Sequence, residues 1–247
     1  MKTIFITGAT SGIGKACAEL FAAQGHRLIL CGRRREILEQ LQKSLNTETY
    51  LLLFDVRNKE EVETAIRSLP PEFKNIDVLV NNAGNAHGLE PISDGNTADW
   101  DAMMDGNVKG LLYVSREVIP AMKAQGSGHI VNISSVAARQ TYTNGVVYCA
   151  SKKAVDVISE GMRLELTEFG IKVTNIQPGV VETEFSEVRF KGDKQRAATV
   201  YAGYEALKPE DIADAIAYCI NAPARVSVSD MTIYPSAQSE PRTIYRK

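Results

Sequence analysis

Short apolar runs alternate with amphipathic segments of helical length along almost the whole chain of 247 residues. The pattern predicts strands at Thr3–Thr7, Arg27–Cys31, Tyr50–Phe54, Asp77–Asn81, His129–Ser134, Lys172–Gln177 and Met231–Tyr234. It predicts helices at Gly12–Ala23, Arg34–Leu45, Lys59–Ser68, Trp100–Ala124, Tyr148–Phe169 and Pro209–Asn221. Strands that are apolar on both faces are typical of a parallel sheet covered by helices on each side. We therefore expect an α/β fold with a doubly wound parallel sheet, in a single domain spanning residues 1–247.

The composition limits the classes of partner that the chain can have. A formal net charge of -2 gives no reason to expect binding to nucleic acid. The four cysteines contain no CxxC pair, so neither a metal site nor a disulfide framework is predicted. No apolar run is long enough to span a bilayer, and the one at the N-terminus is too short for a signal sequence. The expectation is a cytoplasmic protein with a small-molecule substrate.

The first predicted strand leads into a glycine-rich turn, Thr7–Gly14, with the sequence TGATSGIG. Glycines at such a turn let the backbone approach a pyrophosphate, and the following helix presents free N–H groups to it. The spacing is GxxxGxG rather than GxGxxG, and a purely structural turn is the alternative interpretation. Its place at the first strand of a βαβ series favours a dinucleotide site.

Two arginines, Arg33 and Arg34, follow the second predicted strand. An NAD site usually carries an acidic residue here to bind the ribose 2′-hydroxyl, whereas a guanidinium suits the 2′-phosphate of NADP. The alternative is a solvated start to the next helix, but cations there oppose the helix dipole. NADP is therefore the predicted cofactor.

Two further strand ends carry candidate cofactor contacts. Asp55 and Val56 close the third strand, where the carboxylate is placed to accept a hydrogen bond from the adenine amino group. A helix cap before Lys59 is the alternative role for Asp55. The fourth strand ends in the small and amide residues of Asn81–Gly84, which permit close approach of a ligand.

Tyr148 and Lys152 are spaced i and i+4 on a predicted helix, so they share one face. A neighbouring ammonium favours the phenolate, so we expect Lys152 to lower the pKa of Tyr148 and make it an acid/base. Ser135, at the end of the preceding strand, can hold the substrate oxygen. A tyrosine and lysine at this spacing are common by chance, and it is their combination with the glycine turn that is specific.

Together, Thr7–Gly14, Asn81–Gly84, Asn107, Ser135, Tyr148 and Lys152 resemble the short-chain dehydrogenase/reductase family over the whole chain. The resemblance implies a seven-stranded Rossmann fold with strand order 3-2-1-4-5-6-7. It implies that Tyr148 is the catalytic acid/base and that Lys152 holds the nicotinamide ribose. It also implies that Ser135 orients the substrate and that Asn107 relays protons through water to Lys152. A dimer or tetramer is implied too, and we expect a homotetramer with the Tyr148–Phe169 helix at an interface.

The expected cofactor contacts combine the strand ends with family positions such as the Pro178-Gly179 turn over the nicotinamide. They are Gly8, Thr10, Ser11, Gly12, Ile13, Gly14, Arg33, Arg34, Asp55, Val56, Asn82, Ala83, Gly84, Tyr148, Lys152, Pro178, Gly179, Val181 and Thr183.

The segment Thr183–Asp193 resembles bacterial NADP-dependent 3-hydroxy acid dehydrogenases, as do the stretches Gly32–Arg34, Leu53–Asn58 and Asn75–Val80. Enzymes of this subgroup oxidise L-allo-threonine, L-serine and 3-hydroxyisobutyrate, and some reduce malonic semialdehyde. The resemblance places a substrate lid near residues 182–205, hereafter the lid segment.

A 3-hydroxy acid carries a carboxylate that needs a cation in a closed site. Arg189 is the first candidate and Lys191 the second, and solvated lid residues are the alternative. Arg139, Gln140 and Tyr142 are further candidates for the pocket wall. Two other functions stay open: an NADPH-dependent reductase of neutral ketones, aldehydes or sugars, and a non-catalytic NADP-binding sensor.

Overall fold

A seven-stranded parallel sheet forms the centre of the computed structural model, which describes all residues from Met1 to Lys247. The strands are β1 (Thr3–Thr7), β2 (Arg27–Gly32), β3 (Thr49–Leu53), β4 (Val78–Asn81), β5 (Gly128–Ile133), β6 (Ile171–Pro178) and β7 (Asp230–Ile233). Their order across the sheet is β3-β2-β1-β4-β5-β6-β7, and every neighbouring pair is parallel. The predicted doubly wound Rossmann fold and its strand order are confirmed.

Nine α-helices cover the sheet. They are α1 (Gly12–Ala23), α2 (Arg35–Ser44), α3 (Lys59–Arg67), α4 (Thr97–Met104), α5 (Gly110–Gln125), α6 (Val146–Leu166), α7 (Phe185–Arg189), α8 (Lys194–Tyr201) and α9 (Pro209–Asn221). Alternate strand residues point to opposite faces, so Ile4 and Ile6 pack with α1, α2 and α9. Phe5, between them, packs on the other face with α3, α5 and α6. No helix is both long enough and apolar enough to cross a membrane.

The predicted helix Trp100–Ala124 is wrong as a single α-helix. The chain forms α4, then one π-helical turn at Asp105–Lys109, then α5. Within the π turn, the side chain of Asn107 pairs with both backbone groups of Asn85, accepting from its N–H at 2.7 Å and donating to its carbonyl at 2.8 Å. The chain stays helical through the π turn, so helical periodicity did not separate it from α4 and α5.

The remaining predicted elements are close to the observed ones. The strands and the helices α1, α2, α3 and α9 agree with prediction to within one residue at each end. The helix predicted at Tyr148–Phe169 begins at Val146 and ends at Leu166, and a 3₁₀ turn follows at Thr167–Phe169. The short helices α7 and α8, both in the lid segment, were not predicted.

Candidate active site

A cavity of about 410 Å³ opens at the carboxyl ends of the central strands, where the strand order reverses between β1 and β4. Ligands bind at this switch point in doubly wound sheets. Every residue predicted to contact the cofactor lines the cavity except Gly14, and so does Ser135. Asn107 and Arg189 lie outside its wall. The folded chain therefore gathers at one place residues that are spread over most of the sequence.

The glycine turn supports the cavity floor in two different ways. Gly8 and Gly12 have φ angles of 67° and 52°, a left-handed conformation that favours glycine. Gly14 has no surface on the cavity. A Cβ at Gly14 would lie 2.5 Å from Nδ2 of Asn82 and closer still to the carbonyl oxygen of Gly8. Gly14 thus allows α1 to pack against the strand ends, and its predicted contact with the cofactor is replaced by this structural role.

The N-terminus of α1 suits an anion. No side chain caps the helix, and its first turn contains no acidic residue. Its first N–H groups have no acceptor within the helix, and the helix dipole places partial positive charge at the same end. A Cβ at Gly12 would approach the side chain of Thr183 to 3.2 Å, so only glycine keeps this edge open. These features fit the pyrophosphate of a dinucleotide.

Both predicted arginines line the cavity, and each has a carboxylate partner. Arg33 pairs with Asp55 at 3.3 Å. The guanidinium of Arg34 donates through Nε and Nη2 to the Thr10 hydroxyl, at 3.2 and 2.9 Å, and through Nη1 to Glu184 at 3.1 Å. Both side chains remain exposed and Arg34 is the N-cap residue of α2, so the contacts are compatible with a cofactor role and with a solvated helix start.

Asp55 is held by a cation that the sequence did not single out. Nη2 of Arg57 lies 2.6 Å from one carboxylate oxygen, and Nε lies 3.0 Å from both. Burial works to raise the pKa of Asp55, but Arg57, with help from the charge of Arg33, keeps the pKa below its usual value. The alternative role of Asp55 as a helix cap is wrong, because Asn58 caps α3.

Tyr148, Ser135 and Lys152 line the inner end of the cavity together. Tyr148 and Lys152 are buried in the first turns of α6. Nζ of Lys152 donates to the carbonyl oxygen of Ile133 at 2.9 Å, which anchors the ammonium to the end of β5. The Ser135 hydroxyl accepts from the N–H of Ala137 at 3.1 Å, so its proton stays available for another partner.

Burial dominates the ionisation of this pair. It raises the pKa of Tyr148 well above the usual value for a phenol, while the Ser135 hydroxyl and the charge of Arg189 act more weakly in the opposite direction. Burial also lowers the pKa of Lys152 to about 8, and the carboxylate of Asp156 partly offsets this. The expectation that Lys152 brings the pKa of Tyr148 below its usual value is therefore wrong for this structure, because desolvation is the largest effect on the phenol and Lys152 is not among the groups that shift its pKa.

Asn107 connects the π turn to the same region. Besides its pairing with Asn85, its Nδ2 donates to the Ser151 hydroxyl on α6 at 3.0 Å. A Cβ at Gly84 would lie 2.9 Å from Oδ1 of Asn107 and 3.4 Å from Nζ of Lys152. The missing side chain of Gly84 thus keeps space between Asn107 and Lys152, the two ends of the expected proton relay.

Arg189 reaches the tyrosine from the lid segment. Its guanidinium carbon lies 5.5 Å from the centre of the Tyr148 ring and 5.7 Å from that of Tyr142. Nη2 donates to the Tyr142 hydroxyl at 3.1 Å, and Nε donates to the carbonyl oxygen of Gly88 at 3.3 Å. The cation is partly buried and held in place beside the phenol that lines the cavity.

The other candidates for the substrate pocket do not reach it. Lys191 is exposed and pairs with Asp99 at 2.8 Å, so its prediction as a second carboxylate ligand is wrong. Arg139 donates towards Gln177 and Thr232 outside the cavity, and Gln140 is exposed. Tyr142 is the one member of this group with a connection to the site, because its hydroxyl accepts a hydrogen bond from Arg189.

Several cavity residues were missed by sequence reasoning. They come from strand ends and from the lid segment: Phe54, Arg57, Asn85, Glu184, Phe185 and Val188. Arg57 could have been found, because it is a cation only two residues beyond Asp55, which was already a candidate cofactor contact. Nothing local distinguishes Glu184, Phe185 and Val188, because their position depends on how the lid segment folds back over the strands.

The comparisons with known proteins agree with this geometry. The family model for short chain dehydrogenases matches residues 2–194. The chain is 43% identical to the NADP-dependent 3-hydroxy acid dehydrogenase YdfG of Escherichia coli K12, over 96% of each chain. It is 40% identical to an NADP-dependent 3-hydroxy acid dehydrogenase of Schizosaccharomyces pombe, over 100% of this chain and 97% of that one.

A solved structure extends the similarity to three dimensions. The closed form of a serine dehydrogenase complexed with NADP+ superposes with a TM-score of 0.95 at 41% identity. The superposition covers 99% of this chain and 100% of the other.

Proposed function

This chain belongs to the short-chain dehydrogenase/reductase family, in which it is an NADP-dependent oxidoreductase, and we propose that its substrate is a 3-hydroxy acid. The reaction interconverts that acid with its 3-oxo acid or semialdehyde. Substrates of the serine, allo-threonine, 3-hydroxyisobutyrate and 3-hydroxypropionate type fit the proposal. The names of the relatives and of the serine dehydrogenase structure support the assignment of this substrate class.

The observation that carries the proposal is the position of Arg189. Its guanidinium carbon lies 5.5 Å from the ring centre of Tyr148, on the side of the lid segment. A guanidinium pairs with a carboxylate through two parallel hydrogen bonds, so it can bind the acid end of a substrate whose hydroxyl meets Tyr148. A neutral substrate would leave this partly buried cation without an anionic partner.

We assign the cofactor to the cavity at the strand ends. The N-terminus of α1 would hold the pyrophosphate, Arg33 and Arg34 the 2′-phosphate, and Lys152 the nicotinamide ribose. Pro178 and Gly179 would cover the nicotinamide. When bound, NADP accepts the hydride in the oxidative direction and supplies it in the reductive one.

We assign proton transfer to and from the substrate oxygen to Tyr148. Its raised pKa keeps the phenol protonated near neutral pH, which suits a proton donor to the carbonyl oxygen of a 3-oxo acid. In the oxidative direction the phenol first has to release its own proton, and the resulting phenolate oxygen then receives the hydroxyl proton of the substrate. Ser135 would hold that substrate oxygen, because the proton of its own hydroxyl is not used within the loop. Asn107 and Lys152 would pass the proton onward through the space beside Gly84.

A substrate panel tests the proposal. NADP reduction would be followed by absorbance with L-serine, L-allo-threonine, 3-hydroxyisobutyrate and matched alcohols that lack the carboxylate. NAD would serve as the cofactor control. Turnover of the acids and not of the alcohols is the expected result. Turnover of the alcohols alone would reject the carboxylate-binding role of Arg189.

A second candidate function is the reduction of neutral ketones, aldehydes or sugars. Two of the Arg189 donors already bind partners, the Tyr142 hydroxyl and the Gly88 carbonyl, and the apolar side chains of Phe185 and Val188 line the cavity nearby. The same panel separates the two functions. If the protein turns over none of the compounds but still binds NADPH, a non-catalytic sensor would be favoured instead.

We propose that residues 182–205 close over the substrate as a lid. They form two short helices, α7 and α8, and bring Phe185 into the cavity wall and Arg189 beside the ring of Tyr148. We also propose a homotetramer of the cytoplasm. Val157 and Leu164 on α6 are 59% and 82% exposed, an apolar surface that a second copy would cover. Light scattering on the purified chain, with Leu164→Lys as the interface variant, tests the assembly.

A further inference from the structure

Glu184 forms an ion pair across the mouth of the cofactor cavity. Its carboxylate lies 3.1 Å from Nη1 of Arg34. Glu184 belongs to the lid segment, whereas Arg34 follows β2, and both residues line the cavity. This contact therefore links the lid segment directly to an arginine that we assign to the 2′-phosphate of NADP.

Three of the five N–H donors of the Arg34 guanidinium are already engaged, which leaves a phosphate one free N–H on Nη1 and one on Nη2. Nε and Nη2 bind the Thr10 hydroxyl, and Nη1 binds Glu184. A phosphate dianion that approached Arg34 would meet the carboxylate of Glu184 at the same nitrogen. Because the two anions repel each other, they cannot share this donor without a cost in free energy.

The neighbouring arginine has a different arrangement. Arg33 pairs with Asp55, but Asp55 is also held by Arg57, at 2.6 Å. Arg33 can turn to a phosphate while Asp55 keeps a cation beside it. Glu184 makes its only ion pair with Arg34, so moving Arg34 to a phosphate leaves Glu184 without a partner.

We propose that Glu184 is a specificity-determining residue for the cofactor, a carboxylate that competes with the 2′-phosphate for Arg34. The 2′-phosphate of NADP competes with Glu184 at Nη1 of Arg34, whereas NAD, which has no 2′-phosphate, leaves the pair intact. Glu184 thereby lowers the affinity for NADP. The inference rests on the proposed assignment of Arg34 to the 2′-phosphate.

Fluorescence titration of the full chain with NADPH and with NADH, at low ionic strength, tests the competition. Glu184→Gln removes the charge and keeps the shape of the side chain. We expect the Kd for NADPH to fall about two- to fivefold, the range that corresponds to one exposed ion pair. The Kd for NADH is expected to stay the same. Glu187→Gln is the matched control, since Glu187 is an exposed acid of the same segment and makes no ion pair.

The outcomes separate the competition from the assignment on which it rests. An unchanged or raised Kd for NADPH in Glu184→Gln overturns the proposal, as does an equal gain in Glu187→Gln, which would reflect general charge. Arg34→Ala tests the assignment itself, and loss of the preference for NADPH over NADH is expected. If Arg34→Ala leaves that preference intact, Arg34 does not read the phosphate, and both the assignment and the competition are rejected.

Discussion

The guanidinium of Arg189 stands over the ring of Tyr148, with 5.5 Å between the guanidinium carbon and the ring centre. One residue belongs to the lid segment and the other to the helix that lines the inner cavity. The contact places a cation beside the group that we assign to proton transfer. It also means that the lid segment contributes to the electrostatic environment of the phenol, since the charge of Arg189 works to lower the pKa of Tyr148 against the larger effect of burial.

Loss of the Arg189 charge should remove selectivity for acids. In Arg189→Gln we expect kcat/KM for a 3-hydroxy acid to fall about 100-fold, since a hydrogen-bonded charge pair contributes up to about 3 kcal/mol. Steady-state kinetics with L-serine and 3-hydroxyisobutyrate measure the effect. Lys191→Gln is the matched control, because Lys191 pairs with Asp99 on the surface, and no change is expected. Equal losses in the two variants would contradict the role of Arg189.

The phenol of Tyr148 should be needed for chemistry but not for cofactor binding. In Tyr148→Phe we expect kcat to fall by a factor of about 10² to 10⁴, the usual contribution of a positioned acid/base. The Kd for NADPH, measured by fluorescence, should stay within about threefold, because the ring and its packing remain. A variant that keeps a tenth or more of the wild-type kcat would exclude Tyr148 as the proton donor.

Tyr142 is expected to act through Arg189. Its hydroxyl accepts from Nη2 of Arg189 at 3.1 Å, so Tyr142→Phe frees one side of the guanidinium. We expect KM for the hydroxy acid to rise about three- to tenfold with kcat little changed, as one hydrogen bond to a charged group is lost. A double-mutant cycle with Arg189→Gln provides the control, and the effect of Tyr142→Phe should disappear in that background. Additive effects would show that Tyr142 acts independently.

His129 should make the fold sensitive to acid. Burial, with the charges of Lys172 and Lys2, lowers its pKa from 6.5 to about 4. The unfolded chain therefore binds the proton at a higher pH than the folded chain does. The contribution of His129 to the free energy of unfolding is fully present above pH 6.5 and decreases as the pH falls to about 4, by about 3 kcal/mol in total. Denaturant titrations between pH 7 and 4 measure this slope.

The substitution His129→Gln isolates that slope from other acid effects. The ring Nε2 lies 2.8 Å from the Thr174 hydroxyl, which itself donates to the carbonyl of Val228, so the histidine supplies the proton of this bond. A glutamine amide can donate in the same way without titrating. We expect a flatter dependence of unfolding free energy on pH in the variant, and the same slope in both proteins would refute the assignment to His129.

Much of the fold could be read from local features of the sequence. The apolar runs such as Thr3–Thr7 predicted the strands because burial on both faces leaves few polar side chains in them. The glycines of Thr7–Gly14 predicted the dinucleotide site because they let the backbone approach a pyrophosphate at the start of the first helix. Arg33 and Arg34 indicated NADP because a cation placed directly after β2 has the charge that a phosphate needs. Each of these properties depends on residues that are adjacent in the chain.

Only the tertiary structure determined how distant segments meet. Three contacts join residues from separate segments: Asn107 of the π turn with Asn85, Arg34 with Glu184, and Arg189 with Tyr148. The same holds for the ionisation of Tyr148 and Lys152, which the sequence spacing predicted with the wrong direction for the phenol. Spacing along a helix reports which charges are close, whereas desolvation depends on the packing of the whole chain around them, and here desolvation is the larger effect.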